Sequence, residues 1–203
     1  REGHIITIED PVEYHHASGS CLVQQREVGT DVLSFSLGVR DALREDPNIL
    51  LIGEMRDYET MTQAITAAET GHLVLSSLHT GSAAETVSRI LGVFTGTEGS
   101  SVRAQLAASL RAVVAQKLLP RADGKGRVPV IEILRVTGAV SHLLRSGRDD
   151  QIVSAIEAGG RHGMVSFEES AGRLIARSGR YEVFPLVGTI GMTIGLFFIA
   201  QIN

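Results

Sequence analysis

Ile49-Leu50-Leu51-Ile52-Gly53-Glu54-Met55-Arg56-Asp57 decides how this chain is read. Four consecutive apolar residues suit a strand covered on both faces, as a central strand of a parallel sheet is. The run then ends in a glycine, a carboxylate and a guanidinium. Ligands of open parallel sheets bind beyond the carboxyl ends of the strands, so polar residues placed there converge. Two other runs end alike. Ile5-Ile6-Thr7-Ile8 is followed by Glu9-Asp10-Pro11-Val12-Glu13, and a strand predicted over residues 72–78 leads into His79-Thr80. One strand ending in an acid often serves only solvation; three strand ends with polar, reactive residues in one chain, two of them acidic, point to a shared site.

Acidic side chains at strand ends suit Mg²⁺, which takes carboxylates, waters and phosphate oxygens. An apolar strand closed by an acid is also the Walker B arrangement of ATP-hydrolysing proteins. The two histidines of the third strand do not share a metal. His72 and His79 stand seven residues apart and face opposite sides of a strand, about 23 Å from each other at the usual rise.

Outward from these strands, residues 37–44 read as a short amphipathic helix stopped by Asp46-Pro47, and residues 60–70 as a helix closed by Gly71. Ser82-Ala83-Ala84-Glu85 is a capping box opening a helix through Leu91. Leu106, Leu110, Val113 and Val114 predict one helical face over residues 102–119. A polar turn at residues 121–126 leads to a strand over 128–134. Past Thr137 the pattern changes to short helices at 139–144, 151–158 and 167–177, the last opened by Ser166-x-x-Glu169. Strands alternating with helices, then a helical cluster, give an α/β fold with a helical appendix. The expected division is a core over 1–136, a helical subdomain over 137–181 and a hydrophobic tail over 182–203.

Composition narrows the function. With 43% hydrophobic and 21% charged residues, the 203-residue chain can bury a core and is not globally disordered. A net charge of −4 offers no nucleic-acid footprint. Aromatics at 4% and no tryptophan disfavour a base-stacking platform. Cys21 is the one cysteine, which excludes an intrachain disulfide and a four-cysteine zinc cage. The chain opens on Arg1 and enters a strand almost at once, so an amino-terminal truncation is expected. Residues 183–202 carry no charge, a length of about 20 residues that could cross a bilayer as a helix. Arg173, Arg177 and Arg180 before it would hold that side in the cytoplasm. A membrane anchor, a fusion or reading-frame artefact and a buried helix all stay open for this tail.

Ile8-Glu9-Asp10-Pro11-Val12-Glu13-Tyr14 resembles the Asp box of the type II/IV secretion ATPase superfamily, in its type IV pilus twitching-motility and retraction (PilT-like) branch. Val23-Gln24-Gln25-Arg26-Glu27-Val28-Gly29 and Ala42-Leu43-Arg44-Glu45-Asp46-Pro47 resemble the segments that follow in that family. Ile52-Gly53-Glu54-Met55-Arg56-Asp57 resembles its Walker B box, and Ala68-Glu69-Thr70-Gly71-His72-Leu73 through Leu78-His79-Thr80 its His box. The likeness runs from about residue 1 to 181.

The resemblance implies a RecA-like P-loop NTPase core in a hexameric ring motor of pilus retraction. ATP and Mg²⁺ are its implied cofactors; a homo-hexamer and an inner-membrane pilus platform protein are its implied partners, with no nucleic acid. The implied location is cytoplasmic at the inner membrane, with the chain peripheral or tail-anchored. By the same resemblance Glu13 is the catalytic carboxylate that polarises water, Glu54 supports Mg²⁺ through water, and His79 senses the γ-phosphate. His72 would steady the His-box strand. Arg26 and Arg44 are candidates to meet phosphate or a neighbouring subunit, with surface ion pairs as the alternative.

The chain also departs from the family. No G-x-x-x-x-G-K-[ST] phosphate loop is present, and Gly124-Lys125 lacks its context. In the family that loop precedes the Asp box, so the expectation is the carboxyl part of an ATPase that by itself neither binds ATP tightly nor turns it over. No cysteine module separates Pro120 from Val128, which favours the retraction branch over pilus-extension and type II secretion relatives. Ala139-Val140-Ser141-His142-Leu143-Leu144-Arg145-Ser146 keeps the apolar positions and Arg145 of the retraction motif. It carries Ser141-His142 where that motif has Arg-Asn, and Ser146 where it has an acid, as a divergent paralogue would. The alternatives are a type II secretion or pilus-assembly ATPase paralogue, a non-catalytic truncated membrane-tethered subunit, and a DNA-translocating ring ATPase, whose signature is salt-dependent DNA binding.

Overall fold

Four strands, β1 (Gly3–Glu9), β2 (Cys21–Glu27), β3 (Ile49–Ile52) and β4 (Leu73–Ser76), form a parallel sheet in the order β2-β1-β3-β4. The structure is a computed structural model and describes residues 2–94, 96, 98–121 and 125–178. β3 lies between β1 and β4, the central place its apolar run predicts. In register, Ile5 and Thr7 stand beside Ile49 and Leu51, which stand beside Leu73 and Leu75. The strand predicted over residues 72–78 is shorter, Leu73–Ser76, because Ser77 leaves the ladder to bond the loop after β3.

Two helices cover one face of the sheet. α1 (Phe35–Ala42) starts at Ser34, whose Oγ accepts from Leu37 N at 3.3 Å. α2 (Tyr58–Glu69) starts at Asp57, whose carboxylate accepts from both the amide and the hydroxyl of Thr60 at 2.8 Å. Such caps satisfy the orphan amides of a first turn. α2 ends before Gly71, which takes φ +103°, a conformation that favours glycine. Ile6, Ile8, Leu50 and Ile52 are buried under these helices with Val39, Ala42, Ala64 and Ala67. The approach is close at Gly38, where a Cβ would stand 3.0 Å from Ile8 Cδ1.

α3 (Ala83–Val93) and α4 (Glu98–Ser109) follow, then an antiparallel hairpin of β5 (Ala112–Pro120) and β6 (Arg127–Arg135). The hairpin corrects the helix expected over residues 102–119. That helix ends at Ser109, and all nine residues from Ala112 pair with β6. Leu106 and Leu110 do follow helical spacing, but Val113 and Val114 are β-branched and alternate inward and outward along a strand.

α5 (Gly138–Ser146), α6 (Ile152–Ala158) and α7 (Phe167–Ser178) complete the described chain. Val140, Leu144, Ile152 and Ile156 share one apolar cluster with Ala83, Val87, Ala107 and Leu134, so packing continues across the border expected at residue 137. The tail expected over 182–203 lies outside the described residues. Among the described residues, no helix is long and apolar enough to cross a membrane.

Candidate functional site

The carboxyl ends of β1, β3 and β4 open onto one cleft of about 420 Å³. Glu9, Asp10, Pro11 and Glu13 line it after β1; Gly53, Glu54 and Arg56 after β3; Ser77 and His79 after β4; Leu51 and Phe35 form its apolar floor. The parallel register aligns these ends, so residues far apart in sequence share one rim.

Glu54 is a well-shielded carboxylate there, its side chain 15% exposed. Its Oε2 accepts from Arg56 Nε at 2.7 Å and faces His79 Nε2 at 3.3 Å. Arg56 and His79 are largely exposed, so their ends can exchange partners with a ligand. Gly53 lets this loop lie close on β1: its amide donates to Ile8 O at 2.8 Å, and a Cβ there would stand 3.3 Å from that same oxygen. Ser77 ties the third loop to the second, its hydroxyl donating to Gly53 O and its carbonyl accepting from Met55 N at 3.1 Å. Glu9 is held by Thr7 Oγ1 at 2.6 Å and Gln25 Nε2 at 3.0 Å, whereas Glu13 is exposed on the rim.

Of the six residues singled out from sequence, Glu13, Glu54 and His79 line this cleft, and Arg26, Arg44 and His72 do not. Arg26 is paired with Glu45 at 2.6 Å, tying β2 to the turn after α1. Arg44 lies exposed in that same turn. His72 sits at the opposite end of β4, its Nδ1 3.1 Å from both Ala67 O and Thr70 Oγ1, where it fastens the end of α2 to the start of the strand. Arg56 and Ser77 were not singled out. The signal for Arg56 was its place two residues after Glu54 in one loop; that for Ser77, its place just past a strand end.

The cleft thus offers several carboxylates, an imidazole and an exposed guanidinium, a set that can hold a hydrated cation and a phosphate side by side. Among the described residues, no group of three or more His, Cys, Asp or Glu could hold a metal by itself. A Mg²⁺ ion fits such a site when water and phosphate oxygens complete its shell around one carboxylate.

Comparison with known proteins bears on this set. The family described as Type II/IV secretion system protein matches residues 1–178. The chain is 50% identical over 169 residues to the uncharacterized protein YggR of Escherichia coli, covering 83% of this chain and 52% of that protein. It is 49% identical over 174 residues to the type IV pilus retraction ATPase PilT of Pseudomonas aeruginosa, covering 86% and 50%. The crystal structure of the pilus retraction motor PilT with bound ADP superposes with a TM-score of 0.73 at 40% identity, covering 84% of this chain and 52% of that one. The chain therefore spans about half the length of these relatives.

Proposed function

Because this chain belongs to the type II/IV secretion system protein family, we propose that it carries the hydrolytic face of a ring-forming ATPase that powers type IV pilus retraction. The observation that carries this reading is the meeting of Glu13, Glu54 and His79 on one cleft at three strand ends. Glu13, exposed on the rim, orients and polarises the attacking water. Glu54 would hold Mg²⁺ through water, and that ion would neutralise charge on the phosphates. His79 donates to the γ-phosphate, and its approach to Glu54 keeps the imidazole turned toward the cleft. His72 keeps the strand leading to His79 fastened to α2. Arg44 is exposed and available to a neighbouring subunit, whereas Arg26 is mostly shielded and would meet one by exchanging its Glu45 partner.

No glycine-rich phosphate loop stands in this sequence, and the loop's backbone amides and lysine supply much of the phosphate binding in such proteins. The 203-residue chain alone is therefore inactive in this reading, and turnover needs a protein that includes the loop. The partners are further copies of the subunit, in a homo-hexamer, and a pilus platform protein at the cytoplasmic side of the inner membrane. Nucleotide-driven opening and closing of the ring supplies the motion.

A second reading, a divergent paralogue without retraction activity, is favoured by α5. Ser141 Oγ donates to Ala107 O and Ser146 Oγ to His142 O, both at 2.7 Å, so these hydroxyls are engaged within the protein. The retraction branch carries an arginine and an acid at those positions.

Steady-state ATP hydrolysis and pilus retraction, measured together on the protein in its natural full length, separate the readings. Glu13→Gln is expected to lower kcat about 10²–10⁴-fold, the usual range for losing a general base, with little change in ATP binding. ATP turnover without pilus retraction would favour the second reading, and ATP binding without turnover would contradict the roles given to Glu13, Glu54 and His79.

A further inference from the structure

β6 hides a carboxylate that the proposed chemistry does not use. Glu132 is 7% exposed and faces inward between Val130 and Leu134, opposite Ala115. Its Oε1 accepts from Ala83 N at 2.7 Å, the first amide of α3. A buried polar group is costly unless it is hydrogen-bonded, and here the carboxyl oxygen meets the positive end of a helix. Ser82 Oγ takes the Glu85 amide at 3.1 Å and Glu85 Oε2 takes the Gly81 amide at 2.7 Å. Glu132 differs from these two contacts because it comes from another element, 49 residues away in sequence.

The segment fixed in this way carries His79. One end of it, Ser77, is bonded to Gly53 and Met55 beside Glu54. The other end, Ala83, is bonded to Glu132. Within it Thr80 Oγ1 meets Thr86 Oγ1 at 2.6 Å, joining the segment to α3. The position of His79 relative to Glu54 thus depends on where β6 holds the start of α3.

We infer that Glu132 is a positioning residue, which through Ala83 sets His79 against Glu54 and links the β5–β6 hairpin to the cleft. Its consequence for turnover rests on the proposed ATPase reading; the positioning itself does not. Hydrogen exchange of the natural full-length protein tests the positioning first. Glu132→Ala is expected to speed exchange of amides 79–83 roughly tenfold or more, as loss of a buried charge-assisted bond implies. Glu132→Gln keeps an acceptor oxygen at the same reach and is expected to restore most of that protection. Val140→Ala, which thins the apolar cluster that includes Ala83 but leaves both partners of the bond in place, should lower stability without singling out this segment.

Exchange of amides 79–83 at the wild-type rate in Glu132→Ala overturns the inference. Should that variant fail to fold, Glu132→Asp, which draws the carboxylate back by one methylene, must loosen the same segment; an unchanged segment overturns the inference equally. Where the full-length protein hydrolyses ATP, Glu132→Ala is expected to lower kcat about tenfold with KM changed less than about threefold, and Glu132→Gln to recover it. Selective loosening together with unchanged kcat would leave the anchor in place and remove His79 from the chemistry, which separates failure of the inference from failure of the functional reading.

Discussion

The two faces of the parallel sheet are built from the same strands and end very differently. Toward α1 and α2, Ile6, Ile8, Leu50 and Ile52 are fully buried. On the other face Ile5, Val23, Ile49 and Leu51 are half-buried, and Leu73 and Leu75 are 50% and 47% exposed. Alternation along a strand explains how one segment serves both faces. It does not explain why both are apolar. Sheets of parallel strands are ordinarily covered on both sides, so the residues of the second face suit a cover that the described residues do not supply. The cleft lies at the end of this sheet and inherits its two halves, one firmly supported and one open.

The largest contrast is in stability. Ile8→Ala, on the covered face, is expected to cost about 2–5 kcal/mol, the range for emptying a buried aliphatic site. Leu75→Ala on the open face of the 203-residue chain should cost less than about 1 kcal/mol, since half of that side chain already meets water. Equal losses in chemical denaturation would break the comparison. The next contrast is between lengths. If the natural full-length protein covers the second face, Leu75→Ala there should cost roughly 2 kcal/mol or more, and the same denaturation experiment measures the gain.

A smaller effect probes the helices that do the covering. Asp57→Ala removes both bonds to Thr60 at the start of α2 and is expected to cost about 1–2 kcal/mol. Calorimetry should find this loss whether or not the open face is covered. The smallest effect lies one residue further on. Tyr58 donates its hydroxyl to Glu98 at 2.7 Å, and that bond, with some burial and the carboxylate's charge, raises the phenol above its ordinary range. Folding therefore favours the neutral phenol. The stabilisation is complete below the ordinary tyrosine value and fades as pH rises through the higher folded value. Tyr58→Phe should be slightly less stable than wild type at neutral pH, with the gap closing in strongly alkaline solution.

Much of the sheet could be read directly, for a physical reason: four apolar residues bounded by Pro47 and Gly53 leave few choices but a buried strand. The capping box at Ser82 was equally legible because its spacing is local, whereas the helix expected from residue 60 begins at Tyr58, behind a cap at Asp57 that was not read. The hairpin was not. Leu106, Leu110 and Val113 keep helical spacing across a boundary that only pairing with β6 reveals, since Ala112 and Arg135 are neighbours in space alone. Glu54 and His79 could be placed at strand ends, but their approach to 3.3 Å depends on the β3–β4 register. Arg26 shows the opposite limit: its partner Glu45 is 19 residues away, and no local pattern favoured the ion pair over a phosphate contact. Glu132 did leave a trace, an acid at an inward position among Val130, Ile131, Ile133 and Leu134.

The central claim is that these strand ends face a nucleotide's phosphates. Paramagnetic broadening of histidine ring resonances by Mn²⁺–ATP, in the natural full-length protein, tests it most directly. The expected result is selective loss of the His79 signal while His72, at the far end of β4, stays sharp. Equal broadening of both, or of neither, would contradict the account.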